Sequence, residues 1–181
     1  MSVPPDLAAE MSRAATDAVA QAQTAHGVTL DYSRASIPKL ETILGKIHDQ
    51  YTSRGLLERF LRRLPTRADL RGAALLYGGY LGEVLRQSLN GTWEISEGIP
   101  AVSNSKGTGY PVDKAFKRMV NGPVNSVDCF FARALERRKG ARADSFNHAA
   151  HANHHQHALA DSHAPPHRPQ PSPDFRMFPV K

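Results

Sequence analysis

The stretch from Gly72 to Trp93 constrains this chain more than any other, because it sets three glycines inside a helical apolar pattern. Leu75, Leu76, Tyr80, Leu81, Val84, Leu85 and Leu89 recur at i, i+3 and i+4, the spacing of a helix with a wide buried stripe. Gly78, Gly79 and Gly82 fall within that stripe, where each costs about 1 kcal/mol relative to alanine. The simplest compensation is close approach of another backbone. Asn90-Gly91 tolerates positive φ and should stop the helix, and Thr92-Trp93-Glu94-Ile95 then reads as a short strand.

The flanking segments follow the same logic. Pro4-Pro5-Asp6 opens a helix from Leu7 to His26, with Leu7, Met11, Ala14, Ala15, Ala18, Val19 and Ala22 on a narrow apolar face. That face is shallow, which places the helix at the rim or against a partner, and Gly27 ends it. Val28 to Ser33 reads as a short strand. Ser36 is a natural N-cap for a helix from Ile37 to about Tyr51, with Pro38 in its first turn and Glu41 near its positive end. Gly55 to Leu64 is a short amphipathic helix, closed by Pro65. Thr66, with Asp69 three residues on, caps the approach to the glycine-bearing helix.

Beyond Trp93 the pieces are shorter. Glu97-Gly98-Ile99-Pro100 is a turn, and Ala101 to Asn104 is a second strand antiparallel to the first. Ser105 to Gly109 reads as a glycine-bearing loop. It lacks the G-x-x-x-x-G-K-[ST] order of a phosphate loop. Tyr110-Pro111-Val112 is a candidate third strand, Asp113 a cap for Lys114 to Val120, and Asn121-Gly122-Pro123 a stop. Asn125 or Ser126 caps a last helix from Val127 to about Lys139. The expectation is an α+β chain: helices packed on a small antiparallel sheet, with a disordered C-terminal tail. Its divisions are an N-terminal helix at 1–27, a compact α+β domain at 28–140 and a His/Pro-rich flexible tail at 141–181.

Several chemistries are disfavoured by what is missing. There is no H-E-x-x-H, G-x-S-x-G or C-x-x-C. Cys129 is the only cysteine and sits in an apolar run, where it reads as a small buried hydrophobe. No apolar run approaches a membrane span and the first residues lack the pattern of a secretory signal, so a cytoplasmic setting is expected. Seven of nine histidines lie in the tail (His148, His151, His154, His155, His157, His163 and His167). Spacings of three and four would align imidazoles on a transient helix, but a specific metal site needs rigid ligands and supporting hydrogen bonds. No metal and no cofactor is assigned.

Two features remain as candidates. Glu83, beside Gly82 on the glycine-bearing helix and three residues before Arg86, is the possible functional acid, with Tyr80 or Lys106 as neighbours in an enzyme reading. Its competing role is an ion pair or hydrogen bond that sets the helix against the strands. The net charge of +6 has its densest stretch at Arg54, Arg59, Arg62, Arg63, Arg67 and Arg71. Those arginines form the solvated side of an amphipathic segment or a phosphate-binding surface. Arg59, Arg62, Arg63 and Arg67, together with Phe175 and Phe178 near the C-terminus, are the candidate partner-binding residues.

The pattern L-D-Y-S-x-x-S at Leu30 to Ser36, the pair Leu40-Glu41, G-G-Y-L-G-E-V-L at Gly78 to Leu85 and N-G-T-W at Asn90 to Trp93 resembles a scattered group of small bacterial proteins of uncharacterised function. The resemblance covers roughly residues 28 to 130. It implies a compact α+β domain in the bacterial cytoplasm and carries over no catalytic residues. Proteins of this kind often stand beside secreted toxins as immunity or accessory factors. The functional expectation is therefore a non-catalytic interaction protein that binds a toxin or effector. The alternatives are a nucleic-acid-associated protein using Arg54 to Arg71 with Arg137 to Lys139, or an enzyme using Glu83. Oligomeric state is left open.

Overall fold

A capping box starts the glycine-bearing helix. The Thr66 hydroxyl accepts the Asp69 N–H at 3.2 Å, and the Asp69 carboxylate accepts the Thr66 N–H at 2.8 Å. The helix runs Arg67–Leu89 and stops at Asn90, whose left-handed backbone (φ 51°) lets its N–H reach the Arg86 carbonyl. In the computed structural model, which describes residues 7–52 and 65–137, this element is α3. Before it come α1 (Leu7–His26), a 3-10 turn (Arg34–Ser36) and α2 (Ile37–Thr52). After it come β1 (Thr92–Ser96), β2 (Ile99–Asn104), β3 (Gly107–Gly109), α4 (Pro111–Asn121), a second 3-10 turn (Gly122–Asn125) and α5 (127–137). The architecture is α+β, mostly helical with one small antiparallel sheet. The expected helix at 55–64 and the tail from 141 lie outside the described residues.

Helix α3 packs most extensively against α1 and α4. From Tyr77 to Leu85 every residue is buried, so the expected stripe is a full circumference there. Leu75 is the exception, exposed on the outer side of the first half. The glycines explain how so much of one helix is covered. A Cβ on Gly78 would collide with the backbone of Val112, and one on Gly82 with the Trp93 ring and with Pro111. On Gly79 it would stand 3.1 Å from the Ala14 Cβ and 3.2 Å from the Met11 carbonyl. Helix α1 is accordingly not at the rim. Ala15, Ala18 and Ala22 are fully buried beside Met11, because small side chains opposite a glycine bring two helix axes close together.

The sheet order is β1-β2-β3, all antiparallel, with Trp93 opposite Val102 and Val102 opposite Gly109. Glu97 and Gly98 both take positive φ (54° and 78°), the two-residue turn that matches strand twist. Four expectations are corrected. Val28 to Ser33 forms no strand, because Tyr32 takes φ 60° and gives its N–H to the Tyr80 hydroxyl at 2.9 Å instead of a ladder. The third strand is Gly107–Gly109, inside the expected loop, and Pro111 is the first residue of α4, where a missing N–H costs nothing. Asp113 pairs with Lys117 at 2.8 Å rather than capping. Ser36, likewise, does not cap α2, since its hydroxyl donates to the Ser33 carbonyl at 2.6 Å. Among the described residues, no helix is long and apolar enough to cross a membrane.

Alanine at Gly78 or Gly82 should lower unfolding free energy by about 3 kcal/mol or abolish folding, since backbone and a large ring must move to admit one carbon. Gly72 lies on the same helix with nothing near its missing Cβ. Gly72→Ala should therefore stabilise by about 0.5–1 kcal/mol in urea denaturation.

Candidate functional site

Glu83 points from α3 toward β1, and its carboxylate is fully engaged. Trp93 donates its indole N–H to Oε1 at 2.7 Å. Arg86 donates Nε to both oxygens at 3.2 and 3.1 Å and Nη2 to Oε2 at 2.9 Å. The residue is only 6% exposed. Gly82 leaves the space that the Trp93 ring fills, so the glycine and the acid together fasten the helix to the sheet. Tyr80 belongs to a separate network: its hydroxyl takes the Tyr32 N–H and lies 2.5 Å from the Ser36 hydroxyl. Burial raises its pKa, opposed by those hydrogen bonds. Tyr77, one turn away on the same helix, is buried with no partner for its hydroxyl among the described residues, and burial pushes its pKa up to about 12.

A second acid, partly buried, works across helices. Glu41, on α2, accepts Arg118 Nε at 2.5 Å, the Ser126 hydroxyl at 3.2 Å and the Val127 N–H at 2.7 Å. It therefore neutralises a guanidinium on α4 and fills the positive end of α5 at once. Ser126 completes the cap by accepting the Cys129 N–H at 3.3 Å, as the sequence led us to expect. His48 adds a ring-nitrogen contact to the Met119 carbonyl at 2.9 Å. These acids and hydroxyls hold elements in place. Among the described residues they form no arrangement of nucleophile, base and open space.

Open space occurs elsewhere. A cleft of about 270 Å³ lies between the β2–β3 hairpin and α5. Leu85, Leu89, Val102 and Phe130 form its apolar part, and Lys106, Lys114, Arg133 and Arg137 bring four cations to its wall. Among the described residues, no aspartate or glutamate lines it. Lys114 stands over the Phe130 ring, 6.0 Å from the centroid. Burial, Arg133 and Lys117 lower its pKa, with Asp113 and Cys129 opposing. Cys129 also lines the cleft and is exposed, which corrects the expectation of a buried thiol: α5 turns Val127 and Phe131 inward and leaves Cys129 on the outer side.

Of the sequence candidates, Glu83 is inside the fold and Lys106 is on the cleft. Arg67 is exposed over Phe116, 5.9 Å from the ring centroid, and does not line the cleft. Arg59, Arg62, Arg63, Phe175 and Phe178 lie outside the described residues, as do the tail histidines. Among the described residues no cluster of His, Cys, Asp and Glu is placed to hold a metal ion. Lys114 and Arg133 were not singled out from the sequence. The spacing of Cys129, Arg133 and Arg137 along one helix face was the available signal for half of the cleft. Lys114 and Lys106 reach it only through tertiary folding. Comparisons with protein-family models, with curated proteins and with solved structures found no match to this chain.

Glu83→Gln should lose about 2–3 kcal/mol, because a buried charge-assisted pair is broken while Arg86 can turn to solvent. Trp93 is the chain's single tryptophan. Its emission should shift with the lost carboxylate even below the melting transition. Tyr80→Phe should cost about 1–2 kcal/mol by stranding the Tyr32 N–H, whereas Tyr77→Phe should be neutral or stabilising. The Tyr77 pKa stands above its ordinary value of 10.0, so the folded state resists ionisation and stability falls between pH 10 and about 12. Alkaline denaturation of Tyr77→Phe should show a smaller loss across that window.

Proposed function

We propose that this chain is a non-catalytic interaction protein of the bacterial cytoplasm, an immunity or accessory factor that holds a toxin or effector protein. The observation that carries the reading is the contrast between core and cleft. Glu83, Tyr80 and Glu41 have their hydrogen bonds taken up by neighbouring elements, while four cations and, among the described residues, no carboxylate line a concave surface. A catalytic carboxylate needs a reacting atom within hydrogen-bond reach, and Trp93 and Arg86 occupy that position at Glu83. A docking surface needs shape, charge and a rigid support. Helix α5 supplies the support, capped by Ser126 and Glu41.

The test is co-expression with the products of adjacent genes followed by size-exclusion chromatography. One neighbour should co-elute as a stable complex that weakens as salt is raised. Absence of co-elution with every neighbour would overturn the reading.

A further inference from the structure

The geometry of the cleft points to a specific occupant: we propose that it receives an extended acidic segment of the partner protein, laid beside β3. The inference rests on the interaction reading for its class of ligand and adds where and how that ligand is held. Four observations converge on it.

The first is charge. Lys106, Lys114, Arg133 and Arg137 come from the hairpin, from α4 and from α5, yet share one cleft that no carboxylate among the described residues lines. Cations from three elements in one concavity attract carboxylates spread along a chain better than a single point charge. The second is size. About 270 Å³ is below the range of about 300–1,000 Å³ typical of sites that enclose a whole drug-sized ligand or cofactor. It suits two or three side chains of a segment that continues on either side. The third is the floor. Leu85, Leu89 and Phe130 offer an apolar seat between the charges, which an acidic segment with one apolar or aromatic residue would fill.

The fourth is the strand. Among the described residues β3 has β2 as its one neighbour in the sheet. Gly107 and Thr108 are exposed, and two of its three residues carry no side chain. An incoming extended segment can approach such an edge closely and add backbone hydrogen bonds to the electrostatic attraction. A nucleic acid fits less well. The one aromatic ring among the lining residues, Phe130, is half-buried with Lys114 over its face, and the cations are gathered in a pocket rather than strung along a backbone track.

The experiment uses the full chain and its own Cys129 as reporter, because that thiol lines the cleft and is the only one in the sequence. Its alkylation by iodoacetamide is followed while titrating an acetylated, amidated peptide of aspartate and glutamate around a central phenylalanine. A matched peptide of asparagine and glutamine, a single-stranded oligonucleotide and inorganic phosphate are titrated in parallel. The acidic peptide should protect Cys129 saturably and shift the amide signals of Gly107, Thr108 and Gly109, and the amide-bearing peptide should do neither. Lys114→Gln combined with Arg133→Gln should weaken binding about tenfold or more at an unchanged melting temperature. If that pair fails to fold, Arg137→Gln with the wild-type amide shifts serves the same purpose.

Three results would overturn the proposal: no protection by the acidic peptide at millimolar concentration, equal protection by the neutral peptide, or equal or better protection by oligonucleotide or phosphate. The two readings fail separately. A neighbour's product that still binds the Lys114→Gln/Arg133→Gln protein at full affinity sinks the cleft and spares the interaction role. Peptide binding without any protein complex sinks the interaction role and spares the cleft chemistry.

Discussion

Everything in this structure depends on how closely three elements approach the middle of α3. Within five residues, Gly78, Gly79 and Gly82 admit the start of α4, the backbone of α1 and the ring of Trp93 from β1. Each glycine is unfavourable for an isolated helix by about 1 kcal/mol. The compensation is collective. With no side chains in the way, Tyr77, Tyr80, Leu81, Val84 and Leu85 all become interior at once, and each buried large side chain contributes about 1.5–3 kcal/mol. A helix with alanines at those positions would be better as a helix and worse as a hub.

That hub explains which polar groups could be buried. Glu83 lies on it, so its charge has to be matched locally, and Trp93 and Arg86 supply the match from the two directions that remain. Tyr80 lies on it as well and uses its hydroxyl to fix the turn at Tyr32 through Ser36, where a strand would otherwise have formed. Glu41 does for α2, α4 and α5 what Glu83 does for α3 and β1. Glu83 joins consecutive elements and Glu41 joins elements some eighty residues apart, and each is a positional device for the fold.

How legible this was depended on the range of the interaction. Caps and stops set by neighbouring residues were readable: Thr66 with Asp69, Asn90, Gly27 and Ser126 are all where local chemistry puts them. The close packing implied by the three glycines was readable too, because intrinsic propensity runs so clearly against them. Long-range competition was not. Val28 to Ser33 has strand composition, but the Tyr80 hydroxyl, 48 residues on, claims the Tyr32 amide. Tyr110 to Val112 has it as well, but Pro111 suits the first turn of a helix. Glu41 looked like a favourable charge for its own helix, whereas its carboxylate reaches the start of another. The cleft was the least legible feature, since its four cations come from three elements and only Arg133 and Arg137 share a helix face.

The same separation of ranges gives the cleft its character. The carboxylates of Glu41 and Glu83 each have a guanidinium partner, the buried Arg118 and the partly exposed Arg86. Lys114 on the cleft is placed differently: burial, Arg133 and Lys117 disfavour its charged form more than Asp113 and Cys129 support it. A lysine whose folded pKa is depressed holds its proton less tightly than in the unfolded chain, so at neutral pH its charge works against folding. An anion placed beside it reverses the sign, because opposite charge favours the protonated form. An acidic segment of the kind proposed would relieve that strain at Lys114, on a surface that the glycine-packed interior supports from behind.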